Sequence, residues 1–191
     1  MARPNIFRAA LGAAILFAVA GWAVVKPRPL PEDAFDGITG DAASGEQVFW
    51  AGGCASCHAA LQAEGDAKLT LAGGQAFPSP FGTFYAPNIS NDPARGIGQW
   101  TAHDLGNAML RGVSPAGQHY YPVFPYVSYS KAERQDIADL RAYLATLPAD
   151  PTPSKPHDVP FPFDIRLAMG GWKFLFFNSD WVLMGDLSPE E

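Results

Sequence analysis

Cysteine, histidine and clustered positive charge are all scarce in this chain, and each scarcity removes a class of function. There are two cysteines, Cys54 and Cys57, in 191 residues. A structural zinc site takes four ligands, and no second cysteine pair exists here. Three of the histidines, His103, His119 and His157, are scattered without a paired spacing. No block of Lys or Arg occurs, and the formal charge is −6 with a pI near 5.1. Nucleic acid is therefore not a partner, whereas an acidic surface suits a basic protein partner. Alternating strands are missing around the cysteines, which removes the βαβ setting of a redox pair with this spacing.

What is present begins with an unusual N-terminus. "MARPNIFR" carries Arg3 and Arg8, "AALGAAILFAVAGWAVV" (Ala9–Val25) is uncharged and almost wholly apolar, and "KPRPLPED" breaks the run. This is an export signal. The small residues Ala18–Ala20 fit a cleavage site, but the apolar run is just long enough to cross a bilayer. Arg3 and Arg8 would stay inside while Trp22 and Lys26 sit at the outer interface. We read residues 1–31 as an uncleaved transmembrane anchor and short linker, with the rest of the chain outside the cytoplasm.

The cysteines lie in "GGCASCHAA" (residues 52–60), with His58 directly after Cys57. C-x-x-C-H is the attachment signature of c-type haem. One helical turn must present both sulfurs to one porphyrin edge while the next residue turns back to the iron, and this spacing does so. Export and the lack of other cysteines support the same reading. One covalent haem c is expected, with Cys54 and Cys57 as its thioethers and His58 as proximal ligand.

The flanking sequence predicts helices joined by long loops. "DAASGEQVFWAGGCASCH" reads as a short helix with Ser44 as N-cap, leading into the haem turn, with Phe49 and Trp50 packed in the core. "TAHDLGNAMLRG" predicts a helix capped by Thr101 and Asp104 and ended by Gly112. "SKAERQDIADLRAYLATLP" predicts a helix with a capping box from Ser130 to Glu133, a buried stripe of Ile137, Leu140, Leu144 and Leu147, and a stop at Pro148. Tyr143 should meet the first of these helices near Phe49. The intervening Gly- and Pro-rich stretches are too long to be idle connections, and their aromatic residues suit walls around a flat apolar cofactor. "NIS" at Asn88–Ser90 matches a glycosylation triplet by chance.

With these pieces in place the chain resembles class I cytochrome c. More narrowly, residues about 40–190 are similar to the first haem domain of bacterial membrane-associated cytochrome c subunits that serve periplasmic alcohol, aldehyde and sugar-acid dehydrogenases. The resembling stretches are "GGCASCHAA", "LAGG", "PFGTFYAPNIS", "GIGQW", "YYPVFPYVSY" and "FPFDIR…WKFLFF". The resemblance implies an all-α, cytochrome c-like domain of three to five helices around a covalent haem at 32–150. The anchor would precede it, and a Pro-rich, aromatic extension at 151–191 would pack on the domain or a partner. Trp100, Tyr121 and Phe124 would line the haem pocket. Many such relatives carry a second haem domain, whereas this sequence holds one C-x-x-C-H, which suggests a single-haem version or the first half of a longer ancestor.

One departure bears on mechanism. In the resembling proteins a Met reaches the iron from the place of Phe124 or near that of Ala132, and neither position is Met here. Met109, Met169, Met184, His119 and Tyr121 remain. Met109 is preferred as sixth ligand because it follows Trp100 inside a helix expected to lean over the haem, with His119 as the alternative. Two functions follow. The first is a membrane-anchored carrier of single electrons, not itself an enzyme, on the periplasmic face of a bacterial inner membrane. It would pass electrons between a redox protein (a dehydrogenase, quinol-oxidising complex or soluble cytochrome) and a respiratory acceptor. The second is a haem enzyme or gas-binding cytochrome with an open sixth site.

Overall fold

The computed structural model describes residues 3–178; Met184 lies outside them. In chain order the elements are α1 (Arg3–Val25), α2 (Ala42–Ala51), α3 (Cys54–His58), a 3₁₀ turn (Gly65–Thr70), β1 (Ala76–Ser79) and β2 (Gly82–Tyr85). These are followed by α4 (Ala102–Gly106), which continues into a π-helical turn (Asn107–Arg111), then α5 (Tyr126–Tyr129), α6 (Arg134–Leu144) and α7 (Ala168–Phe176).

The domain is organised by the crossing of α2 and α6. Phe49 from α2 and Ile137, Leu140 and Leu144 from α6 are buried together with Leu71, Leu105 and Met109. Phe49 and Tyr143 meet with ring centroids 5.2 Å apart, as the sequence suggests. The approach is close because Gly45 faces the α6 backbone: a Cβ there would collide with the Asp139 carbonyl and crowd the Tyr143 side chain. Asp139 is itself buried and accepts from the Asp41 backbone N–H at 2.7 Å and from Gln135 at 2.7 Å. Overpacking a close crossing costs about 1–3 kcal/mol or more. Gly45→Ala should therefore lower the unfolding free energy by an amount in that range, read as a lower denaturant midpoint; an unchanged midpoint would show that the helices part without cost.

Two caps differ from the sequence expectation. The N-cap of α2 is Asp41, whose carboxylate accepts from the Ser44 N–H at 2.8 Å. Asp41 has the extended backbone an N-cap needs, so Ser44 falls within the first turn. For α6 the capping box runs from Glu133 to Asp136, three residues later than expected. Ser130 instead gives its hydroxyl to Val127 O at 2.8 Å, at the end of α5. The cap of α4 is as expected: Thr101 and Asp104 bond reciprocally, and the π turn ends at Gly112.

The expectation of an all-α chain needs one amendment. "AFPSPFGTFY" folds back as an antiparallel hairpin with Ala76 opposite Tyr85 and Phe77 opposite Phe84. The turn is closed by Ser79, whose hydroxyl accepts from Phe81 N–H and donates to Gly82 O. The C-terminal extension then pairs with the hairpin, since Thr83 and Asp158 exchange backbone hydrogen bonds at 2.8 and 2.9 Å. Asn88 holds the same extension, donating at 2.8 Å to the carbonyls of Asp150 and Thr152. Its side chain is buried, so the "NIS" triplet is structural.

The apolar helix α1 stands outside the core. Its segment Phe7–Val25 is long and apolar enough to cross a membrane, and none of that window is buried. It lies near the N-terminus, where a signal sequence has the same character. Beyond it the linker is tied down: Leu30 and Ala34 are buried, and the Leu30 N–H donates to Asn107 Oδ1 at 2.7 Å.

Candidate functional site

The site is built around α3. Gly53, in the left-handed conformation at φ 67°, turns the chain from α2 into a single helical turn, Cys54–His58. At about 100° per residue, Cys54, Cys57 and His58 share one face of that turn, while Ala55, Ser56 and Ala59 take the other. Both cysteines are free and partly buried. Burial pushes the Cys54 thiol up to about 11, so it is protonated at neutral pH. A cavity of about 500 Å³ lies on the opposite side, against Ala55, Ser56, Ala59 and Trp50, and the cysteines do not line it.

His58 is held in one orientation. Its Nδ1 lies 2.9 Å from Pro87 O. A carbonyl only accepts, so Nδ1 carries the proton and Nε2 is left as a lone pair. Burial lowers the pKa of His58 and outweighs the opposing pull of the Pro87 carbonyl, so the ring is neutral. A neutral imidazole anchored through one nitrogen is the state in which the other nitrogen ligates a metal. Tyr129 closes the neighbourhood, donating its hydroxyl to Gly52 O at 2.7 Å. Burial first, then the nearby Cys54 and Cys57, raise its pKa.

The remaining sequence-predicted residues separate into groups. Cys54, Trp100 and Phe124 pack against the same core that contains Met109. Met109 itself is buried on the π-helical turn, a local geometry that often marks functional positions. Phe124 sits among Tyr120, Tyr126 and Tyr129, with ring centroids 5.6–6.3 Å away. Tyr121 belongs elsewhere: it packs on Phe84 and His157, under the Arg166 guanidinium at 4.5 Å. His119 is also apart. Its Nε2 meets Val25 O, at the end of α1, at 2.8 Å, and its Nδ1 is buried without a partner.

Three residues that sequence reasoning did not single out contribute here. Pro87 acts through a carbonyl on a distant loop and Tyr129 through a hydroxyl at the end of α5, and nothing local in the sequence marks them. Arg141 donates from Nε to Trp100 O at 2.6 Å and from one terminal nitrogen to Gly98 O at 2.9 Å. Its other terminal nitrogen, Nη1, is buried with no hydrogen-bond partner. A partly buried guanidinium with an unused edge suits an anion, such as a porphyrin propionate.

The family model for cytochrome c matches residues 42–148, from the start of α2 to just beyond α6. The chain belongs to the cytochrome c family. A cytochrome c domain carries covalent haem c, and the residues present fit it: two free thiols on one helical face, a neutral histidine with a free Nε2, and an arginine whose buried Nη1 has no hydrogen-bond partner.

Among named relatives, this cytochrome is 50% identical over 183 residues to a "Diheme cytochrome c-type" of Cereibacter sphaeroides, an alignment covering 96% of this chain and 62% of that protein. It is 37% identical over 131 residues to "Fructose dehydrogenase cytochrome subunit" of Gluconobacter japonicus, covering 68% of this chain and 26% of the relative. It is also 34% identical over 136 residues to "Alcohol dehydrogenase (quinone), cytochrome c subunit" of Gluconacetobacter polyoxogenes, covering 71% of this chain and 28% of the relative. The chain thus spans under two thirds of the length of each of these proteins.

Proposed function

We propose that this cytochrome c is an electron carrier anchored in the bacterial inner membrane by α1, with one haem on this 191-residue stretch and its domain facing the periplasm. Cys54 and Cys57 are its thioether residues and His58 its proximal ligand. The observation that carries the reading is the His58–Pro87 hydrogen bond, which leaves Nε2 free beside two free thiols. Bound haem iron would alternate between ferric and ferrous states and so move one electron at a time. The chain's own part is to orient the imidazole, exclude water with the aromatic residues around Phe124, and offer Arg141 to an anionic edge.

A dehydrogenase is the proposed electron donor, because two of these relatives carry that word in their names. The anchored domain and its acidic charge suit that partner or a quinol-oxidising complex or soluble cytochrome. The test is capture of the full chain from solubilised membranes followed by mass spectrometry, with haem counted per chain. A co-purifying dehydrogenase and one haem per chain are expected. A second haem, or capture with no redox protein, would overturn the reading.

Met109 is proposed as the sixth iron ligand, with His119, through its unpartnered Nδ1, as the alternative. Met109→Leu nearly conserves volume and should cost under about 1.5 kcal/mol of stability. It should nonetheless abolish the weak sulfur-to-iron charge-transfer band of the ferric protein and let the reduced protein bind carbon monoxide. His119→Ala should leave that band intact. The competing reading, a gas-binding or catalytic haem, is favoured by the fact that Phe124 and Ala132 carry no ligating atom. Carbon monoxide binding by the unaltered protein at neutral pH would move that reading to the front.

A further inference from the structure

Where α1 ends, the chain builds a cationic hollow apart from the turn that carries Cys54, Cys57 and His58. A cavity of about 250 Å³ is lined by Lys26, Arg28, Arg111 and Lys173, with His119 and Phe174 beside them. No carboxylate lines it among the described residues, in a chain whose net charge is −6. Four of the chain's 13 basic side chains thus converge on one small space. Lys173 donates to the Arg111 and Gly112 carbonyls at 2.6 and 2.7 Å, which uses two of its three protons. Burial without a carboxylate pushes its pKa down to about 8, a cost that a neighbouring anion would relieve.

The depth of this hollow is set by α7. Gly170 packs directly on the backbone of Val25, and a Cβ there would collide with the Val25 carbonyl. Because Val25 is the last residue of the apolar segment, α7 lies within a turn of where that segment would leave the bilayer. Its inner side is accounted for: Trp172 and Phe177 pack on Tyr126 with ring centroids 6.4 and 5.7 Å away. In its last turn Phe174, Leu175 and Phe176 are nonetheless 65–69% exposed, with the Phe176 ring 5.8 Å from that of Trp172 one turn earlier. An apolar helix face continuous with a span, with basic side chains at the same level, is the composition of a helix lying in the headgroup layer.

We propose that α7 lies in the periplasmic headgroup layer with Phe174, Leu175 and Phe176 inserted, and that Lys26, Arg28, Arg111 and Lys173 bind the phosphate of an anionic phospholipid. This rests on the reading of α1 as a span. Two contacts at one membrane level, α1 and α7, would fix the tilt of the haem domain above the bilayer, where a single span leaves it free to turn.

The test uses the full chain in nanodiscs containing phosphatidylglycerol, with a photo-crosslinking p-benzoylphenylalanine placed at Phe176 or, as control, at Phe17 of α1. Crosslinks to lipid at both positions are expected. Lipid at Phe17 but a protein or no product at Phe176 would overturn the α7 proposal while leaving the span standing. No lipid at Phe17 would overturn both. In parallel, K26Q/R28Q should reduce the phosphatidylglycerol retained on purification relative to zwitterionic lipid by roughly 25-fold, since each cation near an anionic surface changes affinity by about fivefold. Unchanged retention in that variant would overturn the phosphate site.

Discussion

Replacing Cys54 or Cys57 with Ala should leave little stable holoprotein, and replacing both should leave no haem on the chain after denaturing electrophoresis. The expectation follows from how the domain is held together. Cys54 packs against the main core, and α3 is one turn long with a glycine at its N-cap that offers no side-chain bond. Such a turn has little stability of its own. The thioethers would staple it to a rigid porphyrin, and no disulfide is available as a substitute because the chain has no other cysteine. Binding that accompanies folding contributes its free energy to stability, so losing the attachment also destabilises the surrounding loops. The measurement is haem-dependent peroxidase staining of a denaturing gel alongside an immunoblot for total chain. Wild-type staining in both single variants would show that the haem is not bound through these sulfurs.

How far the sequence discloses this architecture depends on the range of the interaction. Local signals read correctly: Thr101 with Asp104 caps α4, Gly112 ends the π turn, and the stripe from Ile137 to Leu147 is buried. Caps slip where two polar residues compete three positions apart, as Ser44 does with Asp41 and Ser130 with Glu133. The choice then turns on which backbone is extended, and that is decided by packing. The hairpin at residues 76–85 is short and rich in proline and glycine, so it looks like a loop until its tail partner Asp158 is brought alongside. The site shows the same division. Cys54, Cys57 and His58, the proposed haem residues, stand out because covalent attachment would demand a fixed local spacing. Pro87, 29 residues from His58, enters only through a backbone carbonyl that any residue would offer. Gly45 and Gly170 are likewise silent in sequence, since their importance lies in which backbone approaches them.

His58→Ala should collapse the low-spin absorption of the ferric protein and shift its potential, even where both thioethers form. The proposed thioethers would hold the porphyrin edge, whereas His58 offers the imidazole lone pair on the same face of α3. Pro87 fixes that ring by accepting from Nδ1, which selects the tautomer and makes Nε2 the more basic ligand. Burial already holds the imidazole below the ordinary histidine range, so at neutral pH no proton competes for Nε2, and acid is what would remove the ligand. Alanine leaves a space the size of the ring beside the Pro87 carbonyl, and added imidazole can enter it. Recovery of the low-spin band on titrating imidazole into the variant, with no such response in the unaltered protein, is therefore the expected signature. A variant that keeps wild-type absorption and potential without imidazole would mean that another side chain is the proximal ligand. Recovery absent at saturating imidazole, with covalent haem intact, would mean that the Pro87 pocket does not orient the ligand.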